Sequence, residues 1–215
     1  MKKEIETIGI AGKSCSGKNL VAALLEEYGF FPIDLDLLGH QALEKEVEKV
    51  KKEFKVAIPW IESPSPQGEE KKKLDRSELA KVVFKDPQKL AKLEAILYPT
   101  IGKKIEELFL QKKKRSLNGA KLLESQWIEK CDLIFWVKAP FFQRVYRGRK
   151  RDHLPLLALL RRFWGQKKLS AQPFKKVADI KTVYNWGSEK RLKKQIQRIL
   201  IDFTAGEKPH EKLKC

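Results

Sequence analysis

One short stretch near the start of the chain limits the fold more than any other. Ile8-Gly9-Ile10-Ala11 reads as a strand buried on both faces of a parallel sheet. Residues 12–17 turn the chain. Lys18 then opens a helix predicted to reach about Tyr28, with Val21, Leu24, Leu25 and Tyr28 on one face and Gly29 as its stop. The glycine spacing fits G-x-x-x-x-G-K. Glycines let successive backbone N–H groups curl inward around an anion. The helix start adds its positive end, and Lys18 adds a full charge suited to the β- and γ-phosphates of a nucleotide. The plainer alternative is a glycine turn that merely joins strand to helix. The residue after Lys18 is Asn19, where a Ser or Thr hydroxyl would usually hold Mg²⁺; an amide oxygen also ligates a hard cation.

The rest of the chain alternates in the same manner. A second strand, Phe30 to Asp34, ends beside two carboxylates, Asp34 and Asp36. In phosphoryl transfer one such carboxylate accepts a hydroxyl proton and another helps to place Mg²⁺; the bland reading is an acid that complements a helix dipole. Leu43, Val47, Val50 and Phe54 make one apolar stripe of a helix. Residues 58–73, rich in Pro, are expected to form a loop. Helices are expected over 77–84, 87–97 and 101–111. Residues 120–123 are a weak strand candidate, and Leu133 to Val137 a strong one. Two helices follow between 141 and 168, then a strand at Val183-Tyr184-Asn185, a helix over about 188–203, and a flexible tail at 205–215. Strands alternating with helices imply an α/β fold whose ligands sit at the carboxyl ends of a parallel sheet. Both the glycine loop and the Asp pair lie at such ends.

Charge narrows the partners. The 215 residues carry 46 Lys+Arg against 28 Asp+Glu, a formal net charge of +18. Nucleic acid, an anionic membrane surface and polyphosphate nucleotides all fit that sign. No aromatic-basic RNA motif is present, so nucleic acid is the least favoured. From Arg144 to Lys168 nine Lys/Arg stand against one Asp. Such a run is commonly a solvated face, but a cationic segment also suits closure over phosphates, and Arg147, Arg151 and Arg162 are the candidates for it. Cys15, Cys131 and Cys215 have no zinc-ligand spacing with the three histidines. Cys131 is expected to be a buried thiol, and Cys15, inside the glycine loop, is a candidate for redox sensitivity. The longest apolar run, Leu154 to Leu160, is far below the roughly 18 residues of a membrane span. No signal peptide is read at the N-terminus, and a cytoplasmic location is expected.

The order of these signals resembles the dephospho-CoA kinase family over nearly the whole chain. Ile8 to Gly12 with Ser16-Gly17-Lys18 is similar to that family's first motif, and Asp34-Leu35-Asp36 to its D-x-D. Leu74-Asp75-Arg76, Val83-Phe84 and Leu93-Glu94 through Tyr98-Pro99 resemble its L-D-R…F…L-E…H-P block. Leu122-Leu123-Glu124 resembles the end of its L-L-F-E strand. Arg147…Arg151-Asp152 with Arg162…Gln166 resembles its lid, and Ala178-Asp179…Asn185-Trp186-Gly187 its A-D…N-x-G. Asn19, Ala11, Tyr98 and Lys121 depart from the pattern.

The resemblance implies a P-loop kinase with a parallel β-sheet core flanked by helices, a helical acceptor subdomain at about 58–112 and a lid at about 144–168, in a single domain over 1–204. It implies ATP-dependent phosphorylation of the ribose 3′-hydroxyl of dephospho-CoA, with Mg²⁺, by a monomer. By that analogy Gly12, Cys15, Ser16, Gly17, Lys18, Asn19, Leu20 and Asn185 bind ATP. Lys18, Asp36 and Arg147 carry catalysis, and Asp34, Asp36, Asp75 and Arg76 bind the acceptor. Arg147, Arg151 and Arg162 form the lid, and Asn19 and Asp34 hold the metal. A non-catalytic nucleotide or CoA binder, and a kinase for another small metabolite, remain as alternatives.

Overall fold

A computed structural model of the chain describes residues 4–54, 60–64, 70–74, 76–83, 85–120, 122–152, 156–166, 169–174 and 178–205. The chain divides into two compact units. One comprises Met1–Leu35 and Lys112–Cys215, the other Asp36–Gln111.

The first unit is built on five strands: β1 (Thr7–Ala11), β2 (Phe31–Asp34), β5 (Arg115–Asn118), β6 (Leu133–Lys138) and β7 (Ile180–Tyr184), in the order β2-β5-β1-β6-β7. All neighbouring pairs are parallel. β1 lies at the centre, with Ile10 opposite Asn118 on one side and Phe135 on the other. The period of two along β6 splits the core. Leu133, Phe135 and Val137 pack with α1 (Lys18–Glu26) and α8 (Glu189–Ala205) through Val21, Leu25, Leu192 and Ile196. Ile134 and Trp136 join Leu123, Ile128 and Ala171 in a second cluster. The end of α1 is set by Gly29 at φ 82°, with the Gly29 and Phe30 N–H groups donating to Glu26 O and Leu25 O. α6 (Phe141–Asp152) and α7 (Leu156–Gly165) are the two helices expected between 141 and 168.

β5 is a correction. The strand expected at 120–123 lies instead at Arg115–Asn118, and Leu122–Glu124 is a 3₁₀ turn. Its charge concealed it, because Arg115 reads as solvated surface. In the fold Arg115 is 7% exposed. Its guanidinium donates to Thr7 Oγ1 at 3.1 Å, to Lys112 O at 3.0 Å and to Glu6 Oε2 at 3.1 Å, so the buried charge has polar partners, with the exposed Glu6 as its counter-charge.

The second unit holds nearly all of α2 (Leu35–Lys45), then α3 (Val47–Phe54), the antiparallel pair β3 (Trp60–Pro64) and β4 (Glu70–Leu74), α4 (Arg76–Val83) and α5 (Pro87–Gln111). Leu43, Val50, Leu79, Val83 and Leu93 form its core. Three expectations change here. The single apolar stripe from Leu43 to Phe54 spans two helices that break at Glu46, although the Glu46 and Val50 N–H groups still donate four residues back. The loop expected at 58–73 contains the β3–β4 pair, with Pro64 at the end of a strand, where its missing N–H is tolerated. The break expected near Pro99 is absent, and α5 runs through it for 25 residues. Leu93, Ile101 and Ile105 are buried on both sides of that proline, so one packed face outweighs the lost backbone bond. Ala205, expected in the tail, is the last residue of α8, and 206–215 lie outside the described residues. Among the described residues no helix is long and apolar enough to cross a membrane.

Candidate active site at the glycine loop

The loop between β1 and α1 is held in shape by contacts that tolerate only glycine at two points. A Cβ on Gly12 would meet Val137 O at 2.5 Å. Gly17 sits at φ 94°, and a Cβ there would overlap Asn185 Nδ2. Asn185, 5% exposed just past β7, donates from that nitrogen to Ser16 O at 2.8 Å. Its N–H in turn donates to Lys138 O at 2.7 Å. The sheet ends thus fasten the loop directly. Cys15 adopts φ 60°, a left-handed conformation that is rare outside glycine. It is buried rather than presented to solvent, its sulfur 3.7 Å from Ser14 Oγ and 3.9 Å from Arg151 Nη2.

Lys18 folds back so that Nζ donates to Gly12 O at 3.2 Å. Gln166, at the end of α7, accepts the Ser14 N–H at 2.7 Å, a carbonyl oxygen on a loop donor. Arg147 on α6 spans the loop and the end of β7. Its guanidinium donates to Ser16 O at 3.3 Å, and at 3.4 Å to both Asn185 O and Asn185 Oδ1. Gln143 Oε1 takes a fourth bond at 3.3 Å. Between α6 and the start of α1 lies a cavity of about 490 Å³ whose lining includes Gly17, Lys18, Asn19, Tyr146, Arg147 and Arg151. That volume suits a nucleotide-sized ligand. Helix-start amides and four cations, Lys18, Arg147, Lys150 and Arg151, meet there, the chemistry of a polyphosphate site.

Of the metal candidates, Asn19 lies in the first turn of α1 and Asp34 at a strand end. Asp34 closes β2 and is half-buried, in register with Asn118 of β5. Asn118 Nδ2 donates to Asn19 Oδ1 at 2.9 Å. Leu20 is partly buried against the α1 face of the core, a packing position. Asp36 is exposed in the first turn of α2. Arg76 begins α4 and Arg162 lies in α7, their side chains outside the described residues, as is all of Asp75.

Sequence reasoning missed Asn118, the tie made by Gln166, and Arg144. Arg144 is 7% exposed, donates from Nε to Ser14 O at 2.8 Å and lies 4.3 Å over the Phe163 ring. Burial lowers its pKa. Burial also lowers that of Lys13, aided by the charges of Arg144 and Lys138. The residues tying to Asn19 and Ser14 are 99 and 152 positions away, which no local motif reveals; with the strand expected at 120–123, Asn118 fell outside any element.

Comparisons with known proteins agree with this geometry. The dephospho-CoA kinase family model matches residues 6–189. A dephospho-CoA kinase from Treponema denticola is 35% identical over 197 residues, covering 88% of this chain and 86% of its own. One from Thermus thermophilus is 32% identical over 203 residues, covering 94% and 93%. A solved Thermus thermophilus structure superposes with a TM-score of 0.72 at 30% identity, over 93% of this chain and 98% of its own. With its glycine loop at the ends of parallel strands and this likeness along nearly its whole length, the chain belongs to the dephospho-CoA kinase family.

Proposed function

We propose that ATP occupies the cavity beside α1 and that Lys18, Arg147 and Asp36 carry transfer of its γ-phosphoryl group. The reaction is the family's own: dephospho-CoA is phosphorylated to coenzyme A, the last step of coenzyme A synthesis. The observation that supports this use of the site is Arg147, whose guanidinium bridges Ser16 and Asn185 at the mouth of the glycine loop. Loop amides and Lys18 receive the β- and γ-phosphates, and the Lys18 contact to Gly12 O gives way to phosphate oxygen. Arg147 and Arg151 neutralise charge from α6, with Arg162 of α7 completing the lid. Asp36 accepts the proton of the ribose 3′-hydroxyl as that oxygen attacks, and ADP leaves. Asp34, Asp75 and Arg76 orient the acceptor, within a helical subdomain over about 58–112 for the latter two.

The residues present fit Mg²⁺. Asn19 Oδ1 accepts one bond from Asn118 and retains a second lone pair, and Asp34 offers a carboxylate at the neighbouring strand end. Among the described residues no group of three or more His, Cys, Asp or Glu could hold a metal. When bound, Mg²⁺ neutralises charge developing on the phosphates.

An ADP-release assay with ATP, Mg²⁺ and dephospho-CoA tests the assignment. Asp36→Asn is expected to lose at least about 100-fold in kcat with little change in the KM for ATP. Retained turnover in that variant would remove Asp36 from the chemistry.

A further inference from the structure

The glycine loop is held from outside at alternate carbonyls. Arg144 and Arg147 stand one turn apart on α6. Arg144 Nε donates to Ser14 O at 2.8 Å, and Arg147 Nη1 donates to Ser16 O at 3.3 Å. Ser14 is gripped a second time through its N–H, which Gln166 Oε1 accepts at 2.7 Å. The peptide planes on both sides of Ser14 are therefore fixed by side chains 130 and 152 residues away. Cys15 follows at φ 60°, a conformation that persists outside glycine only where its surroundings enforce it. A trans peptide directs its C=O and its N–H to opposite sides, and the Ser14–Cys15 bond is trans. Holding Ser14 O against Arg144 thus turns the Cys15 N–H the other way, and Cys15 lines the cavity beside α1 with Gly17 and Lys18. Arg144 is buried, and its Nη2 has no hydrogen-bond partner among the described residues. Burying a guanidinium with a donor left over is costly. What it gains there is the Ser14 bond and the Phe163 ring.

We propose that Arg144 is a positioning residue for phosphoryl transfer, acting through Ser14 O to set the peptide whose Cys15 N–H meets the nucleotide phosphates. This rests on the placement of ATP in the cavity beside α1. The working part of Arg144 is its Nε donor, because its partner in the loop is a backbone carbonyl. Gln166 completes the grip from the end of α7, so both helices of the lid fix the same residue of the loop.

Methionine and glutamine separate the donor from the charge and the shape. Both are uncharged and both place a terminal atom where Arg144 has Nε, but only glutamine carries an N–H there. Arg144→Met is expected to lower kcat/KM for ATP about 30-fold, with the KM for dephospho-CoA unchanged. Calorimetric titration of a non-hydrolysable ATP analogue into the same variant should show about tenfold weaker binding. Arg144→Gln should restore both values to within about threefold of the wild type. Each variant is checked for cooperative unfolding, and Arg144→Leu replaces Arg144→Met if the latter does not fold. Equal losses in the glutamine and methionine variants would mean that charge is what the loop needs, and would overturn the proposal. Wild-type kinetics and binding in folded Arg144→Met would overturn it as well. The titrations do not depend on turnover, so a wild-type chain that makes no coenzyme A would count against the transfer reading and leave the test of Arg144 standing.

Discussion

The two flanks of the glycine loop use arginine in opposite ways. On the α1 side, Arg147 is spread over four oxygens of the loop, Asn185 and Gln143. On the β6 side, Arg144 spends one nitrogen on Ser14 O, rests on Phe163 and leaves Nη2 without a partner. A guanidinium shared among several protein oxygens braces them, since its donors are fixed in direction. One that is buried and underused is an electrostatic demand on whatever enters beside it. The same loop therefore has one face braced by Arg147 and another where a buried guanidinium nitrogen stays without a partner.

The largest way to break the α1-side account is Gly17→Ala. The added methyl collides with Asn185 Nδ2 at a backbone angle that disfavours a side chain. Displacement of the loop by about 1 Å is enough to lower kcat/KM for ATP about 100-fold. Steady-state kinetics on the folded variant would check this, and wild-type values would show that Asn185 does not brace the loop. Arg147→Lys sharpens the comparison further. It keeps the charge but loses the fork, and kcat/KM for ATP should fall about tenfold, near 1.4 kcal/mol. If Lys served equally well, Arg147 would be acting as a point charge. The smallest expected effect lies at the loop crown. Cys15→Val places a β-branched residue at φ 60°. It should lower unfolding free energy by about 1–2 kcal/mol more than Cys15→Ser does, read from denaturant midpoints.

Much of the α1 flank was legible in the sequence because it is local. Gly12, Gly17 and Lys18 are fixed by backbone geometry over one loop, and the Gly29 stop by one helix end. The β6 flank was not legible, because its meaning lies in partners far along the chain. Arg144 reads as part of a solvated run until Ser14 and Phe163 are seen beneath it. The same cause hid β5, where Arg115 is buried only because Glu6, Thr7 and Lys112 meet it. The helix through Pro99 was misread for a different reason. A local breaker was weighed alone, while burial of Leu93, Ile101 and Ile105 acts over several turns.

The central claim, phosphoryl transfer from ATP held at Lys18 to the ribose 3′-hydroxyl of dephospho-CoA, is tested most directly by identifying and counting both products. With ATP, Mg²⁺ and dephospho-CoA, the wild-type chain should yield one coenzyme A for each ADP by mass spectrometry. Lys18→Ala should make both at least about 1,000-fold more slowly. ADP without coenzyme A, or undiminished coenzyme A from Lys18→Ala, would contradict it.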